Sequence, residues 1–300
     1  FLRTCRNLFK MWSTDGYQVL LSVYNAEENI KMCLDSLDSS LEGHRWTLLI
    51  GDDASTDNTL LEIQEYIPNS SAQNVHLFNF NKADTVGQAK NRLIKECFNY
   101  KDDYPAILMM DADDQMTKER PKMLETAKKH NAPYVVGCWQ AMRKMQQGEA
   151  WVRSTMKTSG KAATSLQFGP WATLFHHSLL PKDGRFFPDA KTANYGYEDL
   201  LAWNHLKYIK NISPIAHSAD SSPVHVYYVY DESESHTKNT KKTNLMRNSY
   251  WGIRDMIIDK RDIYKNPPSE NEVEVWMNKY TARKSAEKKP PHPLESKRPI

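Results

Sequence analysis

Long apolar runs, paired cysteines and a strong charge imbalance are all missing from this sequence of 300 residues. The four cysteines are scattered without a Cys-x-x-Cys pair, so a zinc site of the usual spacing is not indicated and a reducing compartment is the default. No stretch approaches the roughly 18 consecutive apolar residues that a membrane span needs. Phe1-Leu2-Arg3 does not begin a signal peptide, and the missing initiator methionine suggests a trimmed start. We therefore expect a cytoplasmic protein without a membrane span.

The charge is nearly balanced overall but unevenly placed. Lys and Arg number 40 against 37 Asp and Glu, a formal net charge of +3. Residues 278–300 hold seven Lys or Arg against two Glu, which leaves about −2 for residues 1–277. The near balance does not favour nucleic acid or a membrane surface as a partner, although the basic tail keeps nucleic acid open as an alternative. The tail beyond Lys288 is rich in Lys and Pro, and we do not expect it to build a core.

Strands and helices alternate four times within the first 130 residues. Short apolar runs indicate strands, and apolar residues at three- and four-residue steps indicate helices with one buried stripe. This alternation predicts an α/β fold with a Rossmann-like, doubly wound, mostly parallel sheet and right-handed crossovers. Asn25, with Glu28 three residues later, has the pattern of a capping box. The predicted strands are 18–24, 46–50, 75–80 and 106–110, and the predicted helices are 30–41, 59–66 and 87–98.

The most informative stretch is a predicted buried strand that ends in acids. Residues 106–110 are all apolar, and Asp111, Asp113 and Asp114 follow within four positions. Ligands of open α/β sheets gather at the carboxyl ends of such strands. Neighbouring carboxylates repel one another unless a cation lies among them, and hard cations such as Mg²⁺ or Mn²⁺ prefer carboxylate oxygen. The alternative is an acidic turn that only caps the helix predicted after Pro121.

Two further pairs of acids lie at a predicted strand end and a predicted helix start. Asp52 and Asp53 follow the second strand, and Glu198 and Asp199 begin a helix after Gly196, which permits a sharp backbone turn. Because the dipole of a helix favours acids in its first turn, capping alone is the alternative for both pairs.

Four motifs in consistent order resemble glycosyltransferase family 2. They are Ser-Val-Tyr-Asn-Ala-Glu at 22–27, Asp-Asp-Ala-Ser-Thr-Asp at 52–57, Asp-Ala-Asp-Asp at 111–114 and Gly-Tyr-Glu-Asp-Leu at 196–200. Each motif alone is weak, since Asp-x-Asp occurs by chance in many chains, but the four together are strong. The resemblance covers residues 17–240 and implies the GT-A fold and transfer of a sugar from a nucleotide diphosphate with inversion.

The resemblance also implies roles in binding the donor. Asp113 is the expected metal ligand, and Asp111 is expected to bind the metal or the ribose. Asp53 is expected to accept the imide N–H of uracil, since a carboxylate facing an N–H donor is a directional reader. Lys90 is expected to contact the nucleotide, with a solvated lysine on a helix face as the alternative. The other expected donor-site residues are Ser22 and Tyr24, which line the pocket for the uracil base and the ribose. His236 is expected to complete the metal shell or touch the diphosphate, with a solvated loop histidine as the alternative.

For the transfer step, the resemblance implies Asp199 as the general base and Glu198 as a residue that binds the acceptor or orients the loop. The implied cofactor is Mn²⁺ or Mg²⁺, which acts as a Lewis acid on the leaving group. Acceptor recognition is expected within residues 139–195. Residues 167–171 and the pair His176-His177 are candidates there for a wall on which a sugar ring stacks.

The sequence therefore predicts an inverting, metal-dependent glycosyltransferase that moves a hexose or N-acetylhexosamine from a UDP-sugar to an acceptor hydroxyl, with a glycan as the first choice of acceptor. The alternatives are a nucleic-acid or protein hydroxyl as acceptor, or a sugar nucleotidyltransferase or hydrolase on the same fold. We divide the chain into an N-terminal extension (1–16), a nucleotide-sugar-binding half (17–137), an acceptor-binding half (138–258) and a C-terminal helical extension with a basic tail (259–300).

Overall fold

The computed structural model describes residues 11–12, 14–83, 85–144, 151–156, 172–188, 198–217, 222–229, 252–269, 271–272 and 274–275. The first half alternates strands and helices as predicted, with ends that differ by at most two residues from the sequence-based bounds. These elements are β1 (Tyr17–Val23), α1 (Ile30–Leu41), β2 (Trp46–Asp52), α2 (Thr59–Tyr66), β3 (Asn74–Asn79), α3 (Val86–Cys97) and β4 (Ala106–Asp111).

The second half contains shorter strands. Its sequence predicts strands at 172–175 and 224–230 and a helix from 198, and all three are present. It also predicts a helix over 246–257 and a short one over 273–280. Residues 252–258 are helical and form α6, whereas residues 246–251 and 276–280 lie outside the described residues. The other elements are β5 (Gln115–Met116), α4 (Met123–His130), β6 (Tyr134–Val136), β7 (Trp139–Lys144), β8 (Trp151–Met156), β9 (Thr173–His176), α5 (Glu198–Tyr208), β10 (Ile215–Ala216) and β11 (His225–Val229).

The described strands form two sheets. Seven strands form the main sheet in the order β10-β6-β9-β4-β1-β2-β3, and β5-β11-β7-β8 form the second. In the main sheet β9 is antiparallel to β4 and β6, whereas the other neighbouring pairs are parallel. The sheet is therefore mixed and mostly parallel.

The main sheet is covered on both faces, because side chains of a strand alternate between faces. Leu21 of β1 belongs to the buried cluster that includes Leu34 and Leu37 of α1. Its neighbour Leu20 belongs to the cluster that includes Leu93 of α3 and Trp203 of α5. Helices on both faces of a mostly parallel sheet give the doubly wound arrangement.

The predicted capping box at Asn25 is wrong. Helix α1 begins at Ile30 with Asn29 as its N-cap residue, and Asn25 has a left-handed backbone with φ of 46°. Asparagine tolerates this conformation better than most residues. The Asn25 side chain instead accepts a hydrogen bond from the Thr56 amide at 2.8 Å, so it joins the loop after β1 to the loop after β2.

Among the described residues, no helix is both long and apolar enough to cross a membrane.

Candidate active site

The carboxyl ends of three neighbouring strands bring predicted site residues to one edge of the main sheet. In the register of the sheet, Ser22 of β1 pairs with Asp111 of β4 on one side and with Gly51 of β2 on the other. Tyr24 follows β1 directly and Asp53 follows β2 directly. The residues predicted to bind the uracil base therefore lie at the same edge of the sheet as residues 111–114, which we call the acidic loop.

Lys90 of α3 joins the acidic loop to the start of α5. Its ammonium is buried and lies 3.2 Å from Asp111 Oδ1 and 3.2 Å from Glu198 Oε1. Burial alone would lower the pKa of Lys90, but the carboxylates of Asp111, Glu198 and Asp199 outweigh it and raise the pKa above its usual value. Lys90 therefore stays charged, and it holds the two acidic motifs around one cation.

Helix α3 approaches α5 closely because glycine stands at the point of contact. A Cβ at Gly87 would lie 3.0 Å from the Pro188 carbonyl oxygen and 3.6 Å from Glu198 Cβ. One turn later, Asn91 Oδ1 accepts a hydrogen bond from the Phe187 amide at 2.8 Å. The α3 face that carries Lys90 thus also fixes the chain segment that precedes α5.

Asp199 has the environment of a base that titrates near neutral pH. It is buried in the first turn of α5, and its Oδ1 accepts a hydrogen bond from the Leu200 amide at 2.7 Å. Burial and the neighbouring Glu198 carboxylate raise the pKa of Asp199 to about 7, while Lys90 acts in the opposite direction. A general base is most effective when its pKa lies near the working pH.

Asp111 and Asp113 share the open side of the acidic loop. Asp111 is about one-third exposed, at 32% of its side chain. Burial and the nearby Asp111 carboxylate raise the pKa of Asp113 to about 6, since a second negative charge close by disfavours ionisation. A cation between the two carboxylates would offset this effect. Within the described part of the chain, no three His, Cys, Asp or Glu side chains are grouped so as to hold a metal by themselves.

Asp114, the third acid, is directed into the protein. It is fully buried, its Oδ2 lies 2.9 Å from His225 Nε2, and its Oδ1 accepts a hydrogen bond from the Tyr228 amide at 3.1 Å. Burial and the carboxylates of Asp113 and Asp111 raise the pKa of Asp114. The acidic loop is therefore divided between two residues on its open side and one that binds β11.

At the end of the site predicted to bind the uracil base, Asp53 forms an ion pair with Lys82. Lys82 Nζ lies 2.7 Å from Asp53 Oδ2, and the Ala83 amide donates to Oδ1 at 2.7 Å. The same Lys82 ammonium lies 3.1 Å from the centre of the Tyr24 ring, which is 47% exposed. Asp52, in contrast, accepts from the Ser55 amide at 3.1 Å within its own turn. It does not cap a helix, because α2 begins at Thr59 with Asn58 as its N-cap residue, so the capping alternative is wrong for Asp52.

Some predicted residues lie elsewhere. His176 and His177 are not part of this site, because His176 pairs with Ala106 at the amino-terminal end of β4, whereas Asp111 ends the same strand. A role for them in the acceptor wall is therefore wrong. His236 and residues 167–171 lie outside the described residues.

Sequence reasoning missed Lys82 and His225, and neither carries a local motif that would have identified it.

Comparison with known families and structures gives a consistent result. The family model described as Glycosyl transferase family 2 matches residues 18–181. No curated protein sequence matches the chain.

Several solved structures are similar in fold over most of this chain. TarS 1–349 from S. aureus, in complex with UDP-GlcNAc, has a TM-score of 0.59 and 16% identity, covering 90% of this chain and 73% of its own. The mannosyltransferase PcManGT from Pyrobaculum calidifontis, in complex with GDP-Man and Mn²⁺, has a TM-score of 0.58 and 13% identity, covering 92% and 76%. GalNAc-T7, with UDP, GalNAc and Mn²⁺, has a TM-score of 0.52 and 9% identity, covering 89% and 54%. The predicted GT-A fold is confirmed.

Proposed function

Because the chain belongs to glycosyl transferase family 2, we propose that it transfers a hexose or N-acetylhexosamine from a UDP-sugar to a hydroxyl of an acceptor glycan, with inversion and with the help of a divalent cation. The observation that carries this proposal is the position of the Lys90 ammonium, 3.2 Å from both Asp111 and Glu198. Through this ammonium the acidic loop lies close to Glu198, the residue before Asp199. The proposed cation site and the proposed general base, whose pKa is about 7, would then lie on two sides of one buried charge.

The donor would bind along the edge formed by β1, β2 and β4. Asp53 lies next to the half-exposed Tyr24 ring, and a carboxylate beside an aromatic face suits a planar base with an N–H donor, such as uracil. Ser22 would line the ribose, since it lies at the carboxyl end of β1, which runs between β2 and β4. The UDP-GlcNAc bound to TarS supports a UDP-sugar as the first donor to test.

The acidic loop fits a divalent cation. Asp113 and Asp111 are close enough for one carboxylate to raise the pKa of the other, and carboxylate oxygens are the ligands that Mn²⁺ and Mg²⁺ prefer. Asp113 and the Asp111 oxygen not paired with Lys90 would hold the ion, with His236 as the predicted third protein ligand. Such an ion would neutralise the charge that develops on the departing diphosphate. The Mn²⁺ in the PcManGT and GalNAc-T7 structures supports this assignment.

Asp199 would remove the proton from the acceptor hydroxyl as the hydroxyl oxygen attacks the anomeric carbon and the bond to the diphosphate breaks. One displacement of this kind inverts the configuration at that carbon. Glu198, held by Lys90, would keep the first turn of α5 in position. In this proposal residues 17–137 bind the donor and residues 138–258 bind the acceptor.

The test is a binding and product panel. Thermal unfolding is measured with UDP-glucose, UDP-galactose, UDP-GlcNAc and GDP-mannose, with and without Mn²⁺, since a ligand of the native state raises its stability in proportion to ln(1 + [L]/Kd). We expect a UDP-sugar to stabilise the protein more with Mn²⁺ than without it. The released nucleotide should be UDP. Release of UMP or pyrophosphate would instead indicate a hydrolase or nucleotidyltransferase, and no stabilisation by any nucleotide sugar would contradict the proposal.

A further inference from the structure

Asp114 uses both of its carboxylate oxygens inside the protein. The residue has no exposed surface, Oδ2 lies 2.9 Å from His225 Nε2, and Oδ1 accepts from the Tyr228 amide at 3.1 Å. Both partners belong to β11, 111 residues or more further along the chain. A direct ligand must present an oxygen to an open site, and this carboxylate does not.

The strand before the acidic loop is held by a second buried polar residue, Arg120. Its side chain has no exposed surface, and Nη2 donates to the Met109 carbonyl at 2.8 Å and to the Thr173 carbonyl at 3.0 Å. Nη1 lies 2.9 Å from the Met110 sulfur. Arg120 therefore joins the last residues of β4 to β9. Asp114, at the other end of the acidic loop, joins the chain to β11. Asp111 and Asp113 lie in the sequence between Met109, which Arg120 binds, and Asp114, which binds β11.

The contact between the acidic loop and β11 continues beyond Asp114. Gln115 pairs with Val226 in the antiparallel register of β5 and β11. The Tyr228 hydroxyl donates to Gln115 Oε1 at 2.8 Å. Asp114 thus makes the first of a series of contacts that join the end of the acidic loop to the second sheet. It is fully buried and directly follows Asp113.

We infer that Asp114 is a positioning residue, which holds Asp113 in place for the divalent cation by binding His225 and the Tyr228 amide of β11, and that it is not itself a ligand of the cation. This inference rests on the proposed function, because the cation site belongs to it. Side chains that orient metal ligands without touching the metal commonly change metal affinity by about 10- to 100-fold when they are replaced.

Binding of UDP with and without Mn²⁺, measured by calorimetry, tests the inference in three variants. Asp114→Asn keeps an oxygen that accepts from the Tyr228 amide, and its new side-chain N–H can donate to His225 Nε2 when the imidazole proton is on Nδ1. The Mn²⁺-dependent gain in UDP affinity should therefore fall by less than about fivefold. Asp114→Leu has the same branched arrangement of side-chain heavy atoms, with two methyl groups in place of the two oxygens, and can make neither hydrogen bond. The gain should therefore fall by about 10-fold or more. Asp113→Asn removes a proposed ligand and should abolish the gain. Asp102→Leu, at an acid with 88% of its side chain exposed, is the matched control and should leave the gain unchanged.

Loss of the Mn²⁺-dependent gain in Asp114→Asn, as complete as in Asp113→Asn, would show that Asp114 is a ligand and would overturn the inference. A gain of wild-type size in Asp114→Leu would overturn it as well. If Asp114→Leu does not fold, His225→Leu removes one of the two bonds. A loss of the gain in that variant supports the inference, and wild-type binding contradicts it. A wild-type protein that binds UDP equally well with and without Mn²⁺ overturns the inference but leaves the donor assignment intact, whereas a protein that binds no UDP overturns the proposed function itself.

Discussion

Lys90 and Glu198 form a buried ion pair, with 3.2 Å between Nζ and Oε1, across 108 residues of sequence. The pair connects helix α3, which packs on the main sheet, to the first turn of α5, which carries Asp199. The same ammonium also binds Asp111. Removing the charge of Lys90 should therefore change the electrostatic environment of both the acidic loop and Asp199, the proposed general base.

Replacing Lys90 by methionine should shift the pH dependence of transfer. Lys90 opposes the effects of burial and Glu198 on the pKa of Asp199, which is about 7, so its removal should raise that pKa. The base acts only when it is deprotonated, and activity is therefore lost as the pH falls through this pKa. The acid limb of the kcat/KM profile should lie near pH 7 in the wild type and at higher pH in Lys90→Met. Lys95→Met, on an exposed position of the same helix, is the control, and an unmoved limb in Lys90→Met would contradict the assignment of the base.

Asp199→Asn should separate catalysis from donor binding. The variant keeps the shape of the side chain and an oxygen for the Leu200 amide, but an amide cannot take a proton from the acceptor hydroxyl. We expect kcat to fall by about 10²–10⁴-fold while the Kd for UDP stays unchanged. Steady-state kinetics and calorimetry on the same preparation measure the two quantities. Asp183→Asn, at an exposed acid, should change neither, and near wild-type turnover in Asp199→Asn would exclude this residue as the base.

The sequence predicted the main elements of residues 17–137 because each of them depends on local patterns. Apolar runs such as residues 106–110 and the stripe of Ile30, Leu34 and Leu37 are properties of consecutive residues, and all of these residues are buried. The positions of Asp53 and Asp111 at strand ends followed from the same runs, since parallel strands bring their carboxyl ends to one edge of a sheet.

The features that the sequence did not predict depend on partners far away in the chain. Asp113 and Asp114 are chemically identical neighbours, and only the position of β11 decides which of them is buried against His225. The pairing of Lys90 with Glu198 depends likewise on how α5 docks on α3. Asn25 shows the opposite failure: its local pattern favoured a cap, but its bond to the Thr56 amide stabilises another backbone conformation.

Lys82→Met should strengthen the binding of UDP. The Lys82 ammonium contacts both side chains proposed to bind the uracil base, at 2.7 Å from Asp53 Oδ2 and 3.1 Å from the centre of the Tyr24 ring. Uracil must therefore displace the ammonium in order to bind. A half-exposed ion pair and a cation–π contact are together worth about 1 kcal/mol, which corresponds to an increase in affinity of about fivefold. Calorimetry with UDP and with uncharged uridine measures it. Weaker binding of uridine to Lys82→Met would show instead that Lys82 contacts the base directly.

Gly137→Ala should destabilise the junction between the two sheets, and a second substitution should restore part of the loss. A Cβ at Gly137 would lie 2.5 Å from Val224 Cγ2 and 2.6 Å from Cγ1, and Val224 is fully buried directly before His225. Overpacking of this kind costs about 1–3 kcal/mol of the free energy of unfolding. Val224→Ala alone loses buried methyl groups and should also destabilise the protein. In the double variant the new methyl group occupies space that the valine has vacated. The loss in the free energy of unfolding of the double variant should therefore be smaller than the sum of the two single losses by about 1 kcal/mol. Urea unfolding of the four proteins gives this coupling energy, and strict additivity would show that the two side chains do not compete for the same space.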